Sequence, residues 1–130
     1  MMTAAMCLAL NIFFEARNEP VVGQLMVAEV TLNRVDSPRY PNSICEVVWQ
    51  PSQFSWTHDG LPDKPEKMLY LDRVAWKEIL KLSDSVLKNP HQHLTYTGAT
   101  HYHADYTKPY WASSMYYIGK VGSHLFYSEK

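Results

Sequence analysis

The chain has 130 residues, of which 46 % are hydrophobic and 19 % are charged, and its formal net charge is −1. This length fits a single domain, residues 1–130, with enough apolar side chains for a core. The near-neutral charge argues against electrostatic binding to nucleic acid or to anionic lipid. Aromatic residues make up 13 % of the chain, which fits a groove for sugar rings and equally a tyrosine-rich core and rim.

Two helices are predicted at the start of the chain. The first covers Thr3–Arg17, with Thr3 as its N-cap and Glu15 on its apolar stripe. Pro20 interrupts this helix, because the residue before a proline avoids the α conformation. The second helix is predicted over Pro20–Val35 from apolar residues at helical spacing, namely Val21, Leu25, Ala28, Leu32 and Val35.

The middle of the chain alternates loops with helical segments. Asp36–Ser43 contains two prolines and predicts a loop, and Ile44–Trp49 predicts a short apolar turn of helix or a strand. A long polar loop is expected over Pro51–Lys64. The longest periodic segment, Pro65–Lys88, has a broad apolar face and predicts a helix that Asn89-Pro90 ends.

Short strands are predicted after Pro90. Leu94–Thr97 and His101–His103 are rich in β-branched and aromatic residues. Tyr116–Ile118 and Leu125–Tyr127 flank a turn that contains a Gly-Ser pair, which is typical of a hairpin. Helices followed by strands predict an α+β fold, with a helical N-terminal part and a small antiparallel hairpin or sheet towards the C-terminus.

Glu15 is the first candidate for acid or base chemistry. A carboxylate on an apolar stripe is costly unless it is paired or used, and an apolar pocket raises its pKa towards the range of a general acid. The alternative is a surface glutamate at the end of a helix. Glu19 follows four residues later, but Pro20 breaks the helix, so we expect Glu19 to cap the second helix or to bind Arg17.

The cysteines and histidines offer other chemistry. Cys7 and Cys45 lack the spacing of a metal site. We interpret Cys7 as a small buried hydrophobe, and a disulfide with Cys45 is possible but not needed by the fold. In a strand, His101 and His103 face the same side, and with His124 they form a possible zinc site with an open position.

The remaining patterns argue against cofactors and membranes. The chain has no G-x-S-x-G, no G-x-G-x-x-G and no P-loop, so we expect neither a nucleophilic hydrolase nor a nucleotide cofactor. Met1–Phe14 is apolar but has no basic n-region and no cleavage site, and it is too short to span a bilayer. We therefore expect a protein made in the cytoplasm without a signal peptide.

Short motifs follow one another in a fixed order: E-A-R-N-E-P-V-V-G-Q, A-E-V-T-L-N-R-V, Y-P-N-S-I-C-E-V-V-W-Q, Q-F-S, G-A-T-H-Y-H, P-Y-W-A and I-G-K-V-G-S-H-L-F-Y. In this order they resemble the catalytic domain of the spore-cortex-lytic cell-wall hydrolases. The resemblance extends from about Met6 to Tyr127, which is nearly the whole chain.

This resemblance implies a lysozyme-like fold, akin to that of lytic transglycosylases. It implies cleavage of the β-1,4 bond between N-acetylmuramic acid and N-acetylglucosamine in peptidoglycan, with Glu15 of the E-A-R-N-E-P motif as the catalytic residue. The chain departs from the family pattern at Asn18, where glycine is common. It departs again in the final hairpin, where K-V-G-S-H replaces a shorter G-x-H and leaves the placement of His124 open.

The implied mechanism begins when Glu15 protonates the glycosidic oxygen. No motif pairs a second acid with Glu15, so a lytic transglycosylase, which forms a 1,6-anhydro product, is favoured over a muramidase. We expect five residues to bind the sugar, although each also suits a place in the core or on the surface: Gln53, Phe54, Tyr102, Trp111 and His124.

Two alternatives stay open at this point. One is a zinc-dependent cell-wall amidase or peptidase that uses His101, His103 and His124, and the other is a non-catalytic glycan-binding module. The leading hypothesis expects no metal, peptidoglycan glycan strands as the partner, and a monomer. Without an export signal, the enzyme would reach the wall as phage lysins do, through a holin, or would be a domain of a longer protein.

Overall fold

The helical part of the fold is built around α1 (Ala4–Ala16) in the computed structural model, which describes residues 2–50 and 70–130. Thr3 is the N-cap of α1, as predicted, because its side chain accepts a hydrogen bond from Met6 N at 3.1 Å. Every residue from Cys7 to Phe13 is buried. The helix therefore forms the centre of the core.

Four further α-helices surround or follow α1 in the part of the chain that the structure describes. Their bounds are α2 Val21–Val35, α3 Ile44–Val48, α4 Tyr70–Lys88 and α5 Pro90–His93. Helix α1 packs against α2, α3 and α4. The predicted helices are confirmed within one residue where the structure describes their ends, while the predicted loop over Pro51–Lys64 lies outside the described residues. No helix in the described parts of the chain combines the length and the apolar character that a bilayer span requires.

Three antiparallel strands close the chain: β1 His101–Ala104, β2 Tyr116–Val121 and β3 His124–Ser128. Their order in the sheet is β1-β3-β2. The predicted hairpin is confirmed, although its strands are longer than expected and its turn contains only Gly122-Ser123. Gly122 has a φ of +60°, a conformation that glycine adopts without strain. The α+β prediction is therefore correct for the described residues.

The predicted strand over Leu94–Thr97 is wrong. Its amides bind a side chain instead of another strand: Glu29 accepts hydrogen bonds from Thr95 N at 2.7 Å, Tyr96 N at 3.1 Å and Thr97 N at 2.8 Å. Tyr96 has a φ of +56°, which an extended strand does not allow. The segment is an ordered connection that leads from α5 into β1.

A disulfide joins Cys7 of α1 to Cys45 of α3, with a Cα–Cα distance of 5.2 Å. The interpretation of Cys7 as simply a small buried hydrophobe is therefore incomplete. The two residues are 38 positions apart, and only the packing of α3 on α1 brings them together. The cross-link fixes the helix that carries Glu15 and restricts the unfolded chain.

Candidate active site

Glu15 lies in the last turn of α1 and is half-buried. Leu8 and Ile12, on the same helical stripe, are fully buried, so the carboxyl group stands at the edge of the core. Burial raises the pKa of Glu15, because a charged carboxylate loses solvation there. This is the environment that a general acid near neutral pH needs.

Two polar side chains oppose the effect of burial on Glu15. The hydroxyl of Tyr102, from β1, acts more strongly, and the Arg34 guanidinium, from α2, acts at longer range; both lower the pKa of Glu15. Arg34 is itself held by a 2.8 Å hydrogen bond from its Nε to Thr100 O. The net effect is still a raised pKa, so burial dominates.

The hydroxyl of Tyr102 is directed into the protein, and the predicted contact of Tyr102 with sugar stays a prediction. Tyr102 Oη is buried and has no partner in ordinary hydrogen-bond geometry among the described residues. Its ring lies 5.6 Å from the ring of Phe126 and 5.3 Å from that of His124. Because the Tyr102 hydroxyl also affects the pKa of Glu15, Tyr102 lies next to Glu15 and forms the floor of the candidate site.

No carboxylate within residues 2–50 and 70–130 contributes to the titration of Glu15. A second acid beside Glu15 would raise its pKa by charge repulsion. In the described part of the chain, Glu15 is thus a single acid with a cation and a phenol as its polar neighbours. This arrangement can donate a proton and take one back, but it offers no carboxylate nucleophile.

Glu19 does not have either of its predicted roles. Its Oε1 accepts a hydrogen bond from Ser123 N at 2.7 Å, and its Oε2 accepts one from Ser123 Oγ at 2.7 Å. Pro20 occupies the N-cap position of α2 instead, and Arg17 Nε lies 3.6 Å from Asp72 Oδ1. Glu19 attaches the tip of the β2–β3 hairpin to the junction between α1 and α2.

His124 follows this hairpin tip and is 7 % exposed. Its Nδ1 lies 3.6 Å from Glu19 Oε1. Burial lowers the pKa of His124, while Glu19 and Asp105 act in the opposite direction. The ring contact with Tyr102 places His124 next to the floor of the site. Whether His124 contacts sugar, as predicted, stays a prediction.

Trp111 packs against the face of β1 that carries His101 and His103. Tyr102 points to the opposite face, since neighbouring residues of a strand alternate between the two sides. The ring centroid of Trp111 is 5.1 Å from that of His101, 5.7 Å from that of His103 and 5.5 Å from that of Tyr127. Trp111 is half-buried in this aromatic cluster. The structure therefore does not bring Trp111 and Tyr102 together on one surface.

The possible zinc site is not assembled in the described residues. No group of three His, Cys, Asp or Glu side chains there is close enough to hold a metal ion. Both nitrogens of His103 are engaged, Nε2 with Tyr127 Oη at 2.8 Å and Nδ1 with Ala104 O at 2.7 Å. The two other predicted sugar-binding residues, Gln53 and Phe54, lie outside the described residues.

Sequence reasoning missed three side chains that position the site. Gln24 Nε2 donates to Ala16 O at 3.1 Å and so binds the end of the helix that carries Glu15. Asn33 Nδ2 donates to Ala99 O at 2.7 Å. Glu29 accepts hydrogen bonds from the amides of residues 95–97, which precede Ala99. These contacts hold the chain that enters β1, and no local pattern marks their partners.

The sequence of this chain is similar to those of known cell wall hydrolases. A model of the Cell Wall Hydrolase family matches residues 18–127, a range that starts just after Glu15. The spore cortex-lytic enzyme of Halalkalibacterium halodurans is 31 % identical over 124 residues, which cover 92 % of this chain and 33 % of that protein. The spore cortex-lytic enzyme of Bacillus subtilis is 29 % identical over 124 residues, covering 92 % and 35 %. The chain spans about a third of the length of these curated relatives.

Two solved structures share the fold. The catalytic domain of the germination-specific lytic transglycosylase SleB from Bacillus anthracis is 27 % identical, with a TM-score of 0.68 over 98 % of this chain and 97 % of that one. The catalytic domain of the Bacillus cereus SleB protein is 27 % identical, with a TM-score of 0.62 over 96 % and 90 %. The predicted fold and the resemblance are both confirmed: this chain belongs to the cell wall hydrolase family.

Proposed function

We propose that this chain degrades peptidoglycan as a lytic transglycosylase, with Glu15 as its catalytic residue. The observation that carries the proposal is the half-buried Glu15 carboxyl with a raised pKa at the edge of the core. The match to a SleB catalytic domain described as a lytic transglycosylase supports it. The substrate is then the glycan strand, cut between N-acetylmuramic acid and N-acetylglucosamine.

The first step is proton donation. The protonated Glu15 gives its proton to the oxygen that joins the two sugars, the bond from that oxygen to the anomeric carbon breaks, and the muramic ring takes on oxocarbenium character. The raised pKa of Glu15 leaves a larger fraction of this carboxyl protonated at a given pH than an exposed glutamate has.

The second step returns the proton. The 6-hydroxyl of the same muramic residue attacks the anomeric carbon, and the ionised Glu15 takes the hydroxyl proton, which gives a 1,6-anhydro sugar without adding water. Tyr102 and Arg34 both favour the ionised form at this stage. The route needs no second carboxylate, which fits the single acid in the described part of the site.

The place of action is also a proposal. A disulfide such as Cys7–Cys45 forms and persists in oxidising surroundings and is rare in the cytosol. This cross-link supports a protein that works at the cell wall, outside the reducing cytoplasm. It says nothing about the route by which the protein arrives there.

The test is clearing of purified sacculi by the wild type, by Glu15→Gln and by Glu78→Gln, a control with the same change on the exposed side of α4. We expect Glu15→Gln to lose at least about a thousandfold in rate, because the amide cannot donate the proton. Glu78→Gln should clear at the wild-type rate. Circular dichroism checks that each variant is folded.

Two further measurements separate the alternatives. Mass spectrometry of the released muropeptides should find 1,6-anhydro ends, whereas a muramidase leaves reducing ends that are heavier by one water. A chelator should leave the rate unchanged, whereas a zinc amidase would lose activity. Full activity of Glu15→Gln would overturn the proposal, and binding of sacculi without clearing would favour a glycan-binding module.

A further inference from the structure

Two buried polar atoms beneath Glu15 have no hydrogen-bond partner among the described residues. They are Asn11 Nδ2 and Tyr102 Oη. Asn11 is completely buried, so water cannot readily satisfy its amide. An unpaired buried donor costs free energy, and native proteins rarely retain one without a reason. Two such atoms at the candidate catalytic residue call for a common explanation.

The positions of these side chains make them neighbours. Asn11 precedes Glu15 by four residues on α1, so both lie on one face of the helix. Burial and then the Glu15 carboxyl raise the pKa of Tyr102, while Arg34 and Asn11 lower it, so Glu15 and Asn11 both lie near the Tyr102 hydroxyl. Ring contacts with Phe126 and His124 hold Tyr102 in this place.

Thr31 fixes the direction of the arrangement. Thr31 Oγ1, from α2, donates to Asn11 Oδ1 at 3.2 Å, and Thr31 is fully buried. The hydrogen bond of Asn11 lowers the pKa of Tyr102, as a donor to the phenol oxygen does, so the group that Asn11 offers to Tyr102 is Nδ2, which can only donate. A tyrosine hydroxyl that accepts from Nδ2 keeps its own proton free for another acceptor. The acceptor within reach is the Glu15 carboxyl.

We propose that Thr31, Asn11 and Tyr102 form a buried hydrogen-bond relay that orients the Tyr102 hydroxyl as a donor to the Glu15 carboxylate. The relay requires the Tyr102 and Asn11 side chains to turn until both contacts reach hydrogen-bond geometry, since neither atom has a partner in its present position among the described residues. Tyr102 is then a positioning residue: it acts on the proton donor and does not touch the glycan. The functional meaning of the relay rests on the proposed function.

The relay suits a carboxyl group that must act first as an acid and then as a base. Burial alone makes the ionised Glu15 costly, which favours the first step and hinders the second. A phenol that donates to the carboxylate stabilises the ionised form that takes the proton back. Arg34 from α2 is the other charged group that faces Glu15 in the described residues, and α4, which also packs on α1, contributes no titrating group to it.

The experiment measures the pKa of Glu15 directly, without relying on activity. The protein carries glutamate labelled with ¹³C at the side-chain carboxyl, and the Glu15 signal is the one missing from Glu15→Gln. Wild type, Tyr102→Phe and Thr31→Val are titrated, with Tyr117→Phe as the control because Tyr117 lies on the exposed side of the sheet, 58 % accessible. The pH profile of sacculus clearing is recorded for the same four proteins.

We expect Tyr102→Phe to raise the pKa of Glu15 by about one unit, because the ionised form loses a donor. Thr31→Val frees the amide of Asn11 and should raise it by about half as much. The alkaline limb of the clearing profile should move by the same amounts, and Tyr117→Phe should change neither measurement. A purely structural role of Tyr102 would lower activity without moving this limb.

Two results would overturn the relay. One is an unchanged Glu15 titration in Tyr102→Phe and Thr31→Val, and the other is a fall in the pKa, which would mean that the hydroxyl accepts from the protonated carboxyl. If Tyr102→Phe does not fold, Thr31→Val alone decides. If the titrations shift as expected while the wild type clears no sacculi, the relay stands and the proposed function fails.

Discussion

Gly122 at the tip of the β2–β3 hairpin is the residue whose substitution tests the packing of the sheet on the helices most sharply. A Cβ at this position would lie 2.3 Å from Glu19 Oε1, which is closer than two such atoms approach. Glu19 would have to withdraw and give up its hydrogen bonds to Ser123 N and Ser123 Oγ. We therefore predict that Gly122→Ala detaches the hairpin tip from the junction of α1 and α2.

The expected cost has two parts. A positive φ of +60° costs an alanine about 1 kcal/mol relative to glycine. Loss of the two hydrogen bonds to the Glu19 carboxylate adds about 2 kcal/mol, less than the sum for fully buried bonds because the Glu19 side chain is 14 % exposed. The total is about 3 kcal/mol.

Gly98 provides a matched control. It also has a positive φ, +79°, but a Cβ there would meet nothing within 4 Å. Gly98→Ala should therefore cost only the backbone term of about 1 kcal/mol. The difference of about 2 kcal/mol between the two variants reports mainly the contacts of Glu19, since the nearest atom outside Glu19 that the Cβ would crowd is Pro20 Cδ at 3.2 Å.

Urea unfolding followed by circular dichroism measures both free energies. Repeating Gly122→Ala in a Glu19→Ala background should remove most of the extra cost, because the contacts are already absent. Equal losses in Gly122→Ala and Gly98→Ala would refute the reasoning. So would an extra cost that persists without the Glu19 side chain.

The pH dependence of this difference has a definite sign. The hydrogen bonds from Ser123 lower the pKa of Glu19 below its value in the unfolded chain. Their contribution to stability is then present above the unfolded pKa and is lost as the pH falls through the folded pKa. The gap between Gly122→Ala and Gly98→Ala should shrink in acid and be complete at neutral pH.

Three further predictions concern stability and rate. Reducing the Cys7–Cys45 disulfide, which spans 38 positions, should lower the free energy of unfolding by about 4 kcal/mol; in urea, an unchanged midpoint with dithiothreitol would contradict this. Glu29→Gln should lower the free energy of unfolding by about 2–4 kcal/mol, because a glutamine amide cannot accept all the hydrogen bonds that residues 95–97 donate to Glu29. The control Glu78→Gln should lower it by less than about 0.5 kcal/mol. Equal thermal midpoints of the two variants would contradict this prediction. Clearing of sacculi should decline with rising pH through a pKa above the ordinary value for glutamate, since the proposed function requires a protonated Glu15; a decline at the ordinary value would show that burial has no effect.

The helices could be predicted because their signals are local. Thr3 caps the helix that starts beside it, and Pro20 stands at the boundary between α1 and α2, so neighbours in sequence decide both ends. The hairpin followed from its turn residues for the same reason. The strand expected over Leu94–Thr97 failed because Glu29, 66 residues from Thr95, takes up the amides that a strand would pair. β propensity cannot register a partner so far away in the chain.

In the candidate site, too, local sequence predicts some residues, while others depend on how distant segments pack. Glu15 could be named as a candidate from the apolar helical stripe around it, and the family resemblance, not the stripe, favoured it over a surface glutamate. The position of Tyr102 could not be predicted, since alternation along β1 allows either of its faces to turn towards the core until the sheet packs on α2. The cysteine pair likewise depends on where α3 lies, and spacing alone left the bond between Cys7 and Cys45 undecided.

The E-A-R-N-E-P motif joins both parts of the structure through its two glutamates. Four residues of continuous helix would place Glu15 and Glu19 on one face, but α1 ends at Ala16 and α2 starts at Val21. The break sends Glu15 to the edge of the core and Glu19 to the hairpin tip. Because that hairpin pairs through β3 with the strand that carries Tyr102, we expect Glu19 to help hold Tyr102 in place next to Glu15. A change at Glu19 should therefore reduce the rate of clearing without any contact to the glycan.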